Sequence, residues 1–212
     1  MSLKVAAIID NDVLVNLLTV GILNKLANLY SPLFISDRVV EEFLQEDASF
    51  EHLPSEKREN IMKDLEMRKK FILKITHTNT FIKRCMVYDE ILFATINGTE
   101  GINEGEAESI AQAMKRQVRY FITDDKPCTE QIKIKQFADI TPINSLRILA
   151  KLQLQEFLES PIEDFARLYQ CRPFSSEALL NAFREAAQEL GINKKSFQKA
   201  LPRYKAIVNC AL

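Results

Sequence analysis

Histidine is nearly missing from this sequence: His52 and His77 are the two in 212 residues. Neither stands near an acidic motif, which weakens zinc-hydrolase schemes and nucleophile schemes built on an imidazole base. Cysteine offers no more. Cys85, Cys128, Cys171 and Cys210 are scattered without a C-x-x-C pair, so a disulfide framework or zinc site is disfavoured and reduced thiols are the plain reading. Formal net charge is −1, so no global field draws the chain to nucleic acid or membrane, and such claims fall on local clusters. No apolar run approaches the roughly 20 residues a membrane helix needs. Met1 to Lys4 lack the long apolar region of a secretory signal, and the expected location is the cytoplasm.

What is present is apolar residue in quantity and acid in clusters. A hydrophobic content of 47% suffices for a substantial core. Short apolar runs read as buried strands: Val5 to Ile9, Leu33 to Ile35, Phe71 to Ile75, Tyr120 to Ile122 and, more weakly, Ala138 to Ile140. Helical patterns lie between them: the stretch after Asp12, Asp37 to Gln45 with an acid suited to capping, Ser55 to Lys70, Phe81 to Ile96, and Glu106 to Gln117. This alternation predicts an α/β fold, a parallel sheet of about five strands flanked by helices. After Thr141-Pro142 the strand pattern stops. Pro161 and Pro173 near helix starts and Gly191 as a helix cap suit an all-helical extension. The expected division is residues 1–144 as the α/β body and 145–212 as the extension.

Acids stand in four places. VAAIIDNDV puts Asp10 and Asp12 at the carboxyl end of the first strand, where open α/β sheets place ligands. VVEEF carries Glu41 and Glu42 in a helix after the second strand. NEGEAES opens a helix with Glu104, Glu106 and Glu108. YFITDDK sets Asp124 and Asp125 after another strand. Taken singly these are helix caps and turns: an acid in a first helical turn gains about 0.3–1 kcal/mol from the dipole, and an Asp pair before Lys-Pro suits a turn. Taken together they converge, because parallel strands point the same way.

Carboxylates brought that close raise one another's pKa unless a cation neutralises them. Hard divalent cations prefer oxygen ligands, and such ions activate water and stabilise displacement at phosphorus. Metal-dependent phosphodiester hydrolysis therefore fits the residue types. Proton-transfer chemistry by paired acids stays open at this point.

In order and context these motifs resemble the PIN-domain ribonucleases, over roughly residues 4 to 142. The resemblance implies Asp10, Glu42, Glu108 and Asp125 as catalytic metal ligands for Mg²⁺ or Mn²⁺, with Asp12, Glu106 and Asp124 as a supporting set. GEAES points to the branch of the family with a GEAEA-type helix start. The activity implied is endonucleolytic cleavage of RNA, and by the same resemblance a toxin of a toxin–antitoxin pair, with an antitoxin protein as partner and room for a homodimer. Two features depart from the pattern: Glu replaces the commoner Asp at the third acid, and the chain after Asn144 has no counterpart in it.

Two other readings compete. Phosphatases of the haloacid dehalogenase type share the DxD after the first strand, with Asp10 as nucleophile, but they need a flexible turn there and give Glu42 and GEAES no role. An inactive interaction scaffold is the non-enzymatic alternative. Basic residues from Lys57 to Arg84 alternate with acids and read as a solvated face. Lys194, Lys195, Lys199, Arg203 and Lys205 occur in the last 22 residues with no acid among them, a set suited to RNA phosphates. Phe174, Phe183 and Phe197 near them read as core rather than as platforms for bases, and Leu146, Leu149, Leu152, Phe157 and Leu158 as the packed face of the first tail helix.

Overall fold

The computed structural model describes residues 5–44, 82–85, 90–135, 137 and 139–211. Strand β1 (Val5–Ile9) has Ala7, Ile8 and Ile9 fully buried, as a strand apolar on both faces must be when it lies centrally. Helix α1 (Asn11–Val20) starts at once behind it. It ends at Gly21, whose φ of +83° is open to glycine, with the N–H groups of Gly21 and Ile22 both donating to the Leu17 carbonyl. A short 3-10 helix, Leu23–Asn28, leads to strand β2 (Tyr30–Ser36) and helix α2 (Asp37–Leu44). Strand β3 (Ile82–Cys85), helix α3 (Glu90–Asn97), helix α4 (Glu104–Lys115), strand β4 (Tyr120–Ile122), helix α5 (Lys126–Lys135) and strand β5 (Thr141–Ile143) follow.

Among the described residues the five strands form one parallel sheet in the order β3-β2-β1-β4-β5. The chain builds outward from β1 to one side, then crosses back to place β4 on the other. The carboxyl ends of β1 and β4 are thus neighbours at the point where the winding reverses, the position where such sheets open a ligand crevice. One side of the core joins Ile8 and Phe121 of the sheet to Ala107, Ile110 and Ala113 of α4 and Ile132 of α5. Each such large apolar side chain contributes about 1.5–3 kcal/mol on burial.

Three local expectations are corrected. Phe81 to Ile96 is not one helix: Ile82–Cys85 pairs with β2 and is an edge strand among the described residues, Leu33 opposite Ile82, and the helix begins at Glu90. A four-residue strand is too short for its periodicity to separate from a helical one. The last strand is Thr141–Ile143; of the expected Ala138 to Ile140, Asp139 and Ile140 stand ahead of it and Ala138 lies outside the described residues. Its Pro142 is tolerated because β5 is an edge strand among the described residues, so its missing N–H breaks no ladder on that side. Helix α2 is capped by Ser36, whose Oγ accepts the Val39 N–H at 3.3 Å, so Asp37 is the first helical residue and not the cap. The helix expected over Ser55 to Lys70, the strand over Phe71 to Ile75, and both histidines lie outside the described residues.

The chain forms two compact units, one of Met1–Val15 with Tyr30–Ile143 and one of Asn16–Leu29 with Asn144–Leu212. The second is discontinuous, so Asn16–Leu29 sorts with the C-terminal helices and not with the sheet. Those helices are α6 (Ser145–Leu154), α7 (Pro161–Cys171), α8 (Ser176–Glu189) and α9 (Lys194–Ala211). Pro161 occupies the first turn of α7, and Gly191 follows α8 with φ +67°. Leu146, Leu149, Leu152 and Leu158 are buried, whereas Phe157, beyond the end of α6, is exposed. Phe183 stacks on Tyr204 at 4.6 Å between centroids and meets Phe165 at 5.6 Å, so it is core and not a platform for bases. Phe197 is buried on Tyr204, and Phe174 meets Tyr169 edge-on. Arg147 pairs with Glu185 and Glu189, and Lys151 with Glu189, tying α6 to α8.

Candidate metal centre

Asp10 is the first residue past β1, and its backbone is not free to swing. Its N–H donates to the Ile122 carbonyl at 2.9 Å, extending the β1–β4 ladder, while its carbonyl accepts the Leu14 N–H and caps α1. Its side chain is 5% exposed. Oδ2 accepts the hydroxyl of Thr123, the residue after β4, at 3.2 Å. The same Thr123 Oγ1 accepts the Asp125 N–H at 3.1 Å. Two strand ends and two acids are therefore joined through one buried hydroxyl. Burial lifts the Asp10 pKa well above its ordinary value, and the charges of Glu106, Asp12 and Glu42 lift it further, against a lowering N–H from Asn11.

Glu106 comes from the first turn of α4. The Asn103 side chain accepts the Glu106 N–H at 2.9 Å, and Glu106 Oε2 accepts the Asn103 N–H at 2.9 Å, a reciprocal capping box. The cap uses one carboxylate oxygen. The other, Oε1, is buried and has no hydrogen-bond partner among the described residues. Glu106 is 1% exposed. Burial, then the charges of Asp125 and Asp12, push its pKa up to about 7, with the Asn103 N–H and the Cys128 thiol pulling the other way. Glu106 is therefore both the structural cap and a member of the acidic group.

Glu42 is half-buried on α2, with its carboxylate against Gly105 of α4. Burial raises its pKa, and Asp12, Glu108 and Glu41 add to this while Arg38 opposes it. Asp12 is exposed on the first turn of α1, yet its charge reaches Asp10, Glu42 and Glu106. Asp125 caps α5, its Oδ1 accepting the Cys128 N–H at 2.6 Å; Asp124 beside it is half-buried.

Glu108 is placed differently. Its Oε2 accepts the Arg38 N–H at 3.0 Å, and the charges next to it are Asp37, Arg38 and Glu41. Burial raises its pKa most; the Arg38 N–H and charge oppose this, and Asp37 and Glu41 add to the rise. Glu106, not Glu108, is the α4 acid whose charge acts on Asp10.

Sequence reasoning passed over Cys128 and Gly105. The Cys128 thiol is fully buried, and burial together with Glu106, Asp10 and Asp125 holds it protonated, far above its ordinary range. Its spacing of three residues after Asp125 at a helix start was the available signal. Gly105 signalled only a helix start, whereas Thr123, the threonine ahead of the fourth acid, is part of the resemblance itself. Lys194, Lys195, Lys199, Arg203 and Lys205 are exposed on α9 of the other unit, with Arg203 4.0 Å from Glu156.

The acids of this group all offer oxygen, and the buried Oε1 of Glu106 has no hydrogen-bond partner among the described residues. That chemistry fits a hard cation. Among the described residues no three acidic, histidine or cysteine side chains are gathered closely enough to form a ready-made cage. The acids face one another without meeting at one point.

A family model described as a PIN domain matches residues 6–189. The chain belongs to the PIN-domain family. PIN domains are generally nucleases and typically use divalent metal ions. The match runs to the end of α8, so α6, α7 and α8 belong to the matched sequence, well past Pro142 where the motif resemblance stops. No curated protein and no solved structure matches the sequence. Among the described residues no helix is long and apolar enough to cross a membrane.

Proposed function

We propose that this PIN domain is an endoribonuclease that cuts RNA with Mg²⁺ or Mn²⁺ held by Asp10, Glu42, Glu106 and Asp125, with Asp12 and Asp124 as a supporting pair. The observation that carries the reading is the buried, unpartnered Oε1 of Glu106 beside the buried carboxyl of Asp10. A protein does not retain an orphan carboxylate oxygen next to a second buried acid without cost. A divalent cation removes both costs, since it satisfies the oxygen and neutralises the repulsion.

When bound, such an ion supplies a Lewis acid at the scissile phosphate and lowers the pKa of an attacking water. The protein's own part is positioning. The β1–β4 ladder and Thr123 fix Asp10, the capping box fixes Glu106 by one oxygen and leaves the other for the ion, and the Cys128 N–H fixes Asp125 the same way. Within the family, the run Gly105 to Ser109 supports a place in the branch with a GEAEA-type helix start. The exposed cations Lys194, Lys195, Lys199, Arg203 and Lys205 of α9 suit RNA phosphates. A toxin role, implied by the same resemblance, predicts growth arrest on expression that Asp10→Asn abolishes, with relief by a cognate antitoxin.

The phosphatase alternative loses its footing on the chain's local geometry. Helix α1 begins at Asn11, directly after Asp10, so no flexible turn carries the second aspartate back over the first. The test is cleavage of a single-stranded RNA with Mn²⁺: internal cuts by wild type, none by Asp10→Asn, and no covalent phosphate on Asp10 in either.

A further inference from the structure

Glu42 reaches the acidic centre on α2, and what holds α2 in place comes from α4. The first turn of a helix leaves N–H groups without partners. In α2 two of these are met: Val39 by Ser36 of its own chain segment, and Arg38 by Glu108 of α4 at 3.0 Å. Ser36 Oγ also lies 3.2 Å from Ser109 Oγ, and both hydroxyls are fully buried. The Arg38 guanidinium pairs with Glu104, again on α4, and with Glu41 at 3.8 Å. Arg38 and Glu42 are four residues apart, so they share a face of α2. Fastening the Arg38 turn to α4 therefore turns Glu42 toward α4 as well.

It arrives at Gly105. A Cβ built on Gly105 would stand 2.9 Å from Glu42 Cδ and 2.9 Å from its Oε2, and closer still to Oε1. The three nearest atoms all belong to the carboxylate, the loose end of a flexible side chain. An alanine here would displace that carboxylate while leaving the backbone alone, and a helical Gly→Ala change gains up to about 1 kcal/mol. The space beside Gly105 is taken by the Glu42 carboxylate, which supplies the three atoms nearest to such a Cβ.

We propose that Glu108 and Gly105 are positioning residues for Glu42: α4 caps α2 through Glu108 and leaves a glycine-sized gap for its acid, so Glu108 acts through α2 and is not itself a donor to the ion. This rests on the metal-centre reading above. The experiment compares full-length wild type with Glu108→Gln, Glu108→Ala, Gly105→Ala and, as a control, Glu106→Gln. It measures Mn²⁺ affinity by calorimetry and, without metal, amide hydrogen exchange along α2.

The amide introduced by Glu108→Gln would keep a carbonyl oxygen for the Arg38 N–H, so this variant should hold Mn²⁺ affinity within a few-fold of wild type. Glu108→Ala should speed exchange at Arg38 and Val39 and weaken Mn²⁺ by about 10-fold or more, the scale typical when groups supporting a ligand are removed. Gly105→Ala should weaken Mn²⁺ similarly with unchanged exchange and a thermal midpoint equal or higher. Loss of affinity in Glu108→Gln as deep as in Glu106→Gln would make Glu108 a donor and overturn the proposal. So would wild-type affinity in Gly105→Ala, or wild-type exchange in Glu108→Ala. Failure of the metal centre itself looks different: wild type would bind no Mn²⁺, or Glu106→Gln would bind it normally, and the exchange data would still decide the role of Glu108.

Discussion

Thr123 Oγ1 donates to Asp10 Oδ2 at 3.2 Å and accepts the Asp125 N–H at 3.1 Å, so one buried hydroxyl binds the ends of β1 and β4 together. Thr123→Val keeps the shape and removes both bonds. The Asp125 N–H loses its acceptor and the Asp10 oxygen its donor, which should cost about 1–3 kcal/mol in chemical denaturation. Thr123→Ser should restore most of it. Equal stability of the valine and threonine proteins would show that the hydroxyl holds nothing.

Removing charge from the acidic group should have the opposite sign. Asp10→Asn takes one carboxyl out of a buried set that raises its pKa by burial and by Glu106, Asp12 and Glu42. The metal-free variant should be more stable than wild type by about 1 kcal/mol or more, because the repulsion falls while the amide can still accept from Thr123. A thermal midpoint lower than wild type in EDTA would contradict the strained-cluster picture.

The pH dependence of the metal-free protein follows from the same shifts. Glu106 rises from its ordinary value near 4.5 to about 7, and Asp10, Glu42 and Glu108 shift in the same direction. A raised folded-state pKa means that the native protein holds its proton more tightly than the unfolded chain. The stability from Glu106 is therefore fully present below about pH 4.5 and is lost as pH rises through about 7. Midpoints measured in EDTA should fall from pH 5 to pH 8, and less steeply in Glu106→Gln. Mn²⁺ affinity should climb over that window, since the ion competes with protons for the same oxygens. A midpoint that rises with pH in wild type would reverse the sign and refute the assignment.

On α9, neutralising Lys194, Lys195, Lys199, Arg203 and Lys205 should weaken all RNA sequences alike. Each lost phosphate contact flattens the slope of log K against log salt by roughly 0.7 for a single strand. The Glu156 carboxylate 4.0 Å from Arg203 should make that residue the smallest contributor. Turnover at saturating RNA should change little while KM rises. An unaltered salt slope in the five-fold variant would take RNA binding away from this helix.

The strands that carry the centre were legible because burial on both faces leaves an uninterrupted apolar run: VAAII and YFI read directly as β1 and β4. The places of Asp10, Asp12, Asp124 and Asp125 just past β1 and β4 followed from the strand ends. Position on α4 was harder. Glu106 and Glu108 are two apart on a helix, about 200° around its axis, and sequence alone does not say which side faces the sheet end. Glu106 is proposed as the donor because the capping box anchors it at the helix start, while Glu108 bonds the Arg38 N–H of α2. Edge strands were the other weak point. Ile82–Cys85 and Thr141–Ile143 are held by pairing to a neighbour more than by their own pattern, which is why a helix was expected over the first and a break at Pro142 of the second. The grouping of Asn16–Leu29 with the C-terminal helices depends on contacts between distant parts of the chain, including that of the 3-10 helix with α6, which no local pattern encodes.

The central claim is that these acids hydrolyse RNA through a divalent ion. The most direct measurement is a time course of one end-labelled single-stranded RNA with Mn²⁺, run for wild type, Asp10→Asn, Glu106→Gln, and wild type in excess EDTA. Discrete internal fragments should accumulate with wild type and Mn²⁺ alone, with at least about a 100-fold loss in both variants and none restored in EDTA until metal is returned. Cleavage by Asp10→Asn at the wild-type rate, or cleavage that persists after exhaustive chelation, would contradict the account.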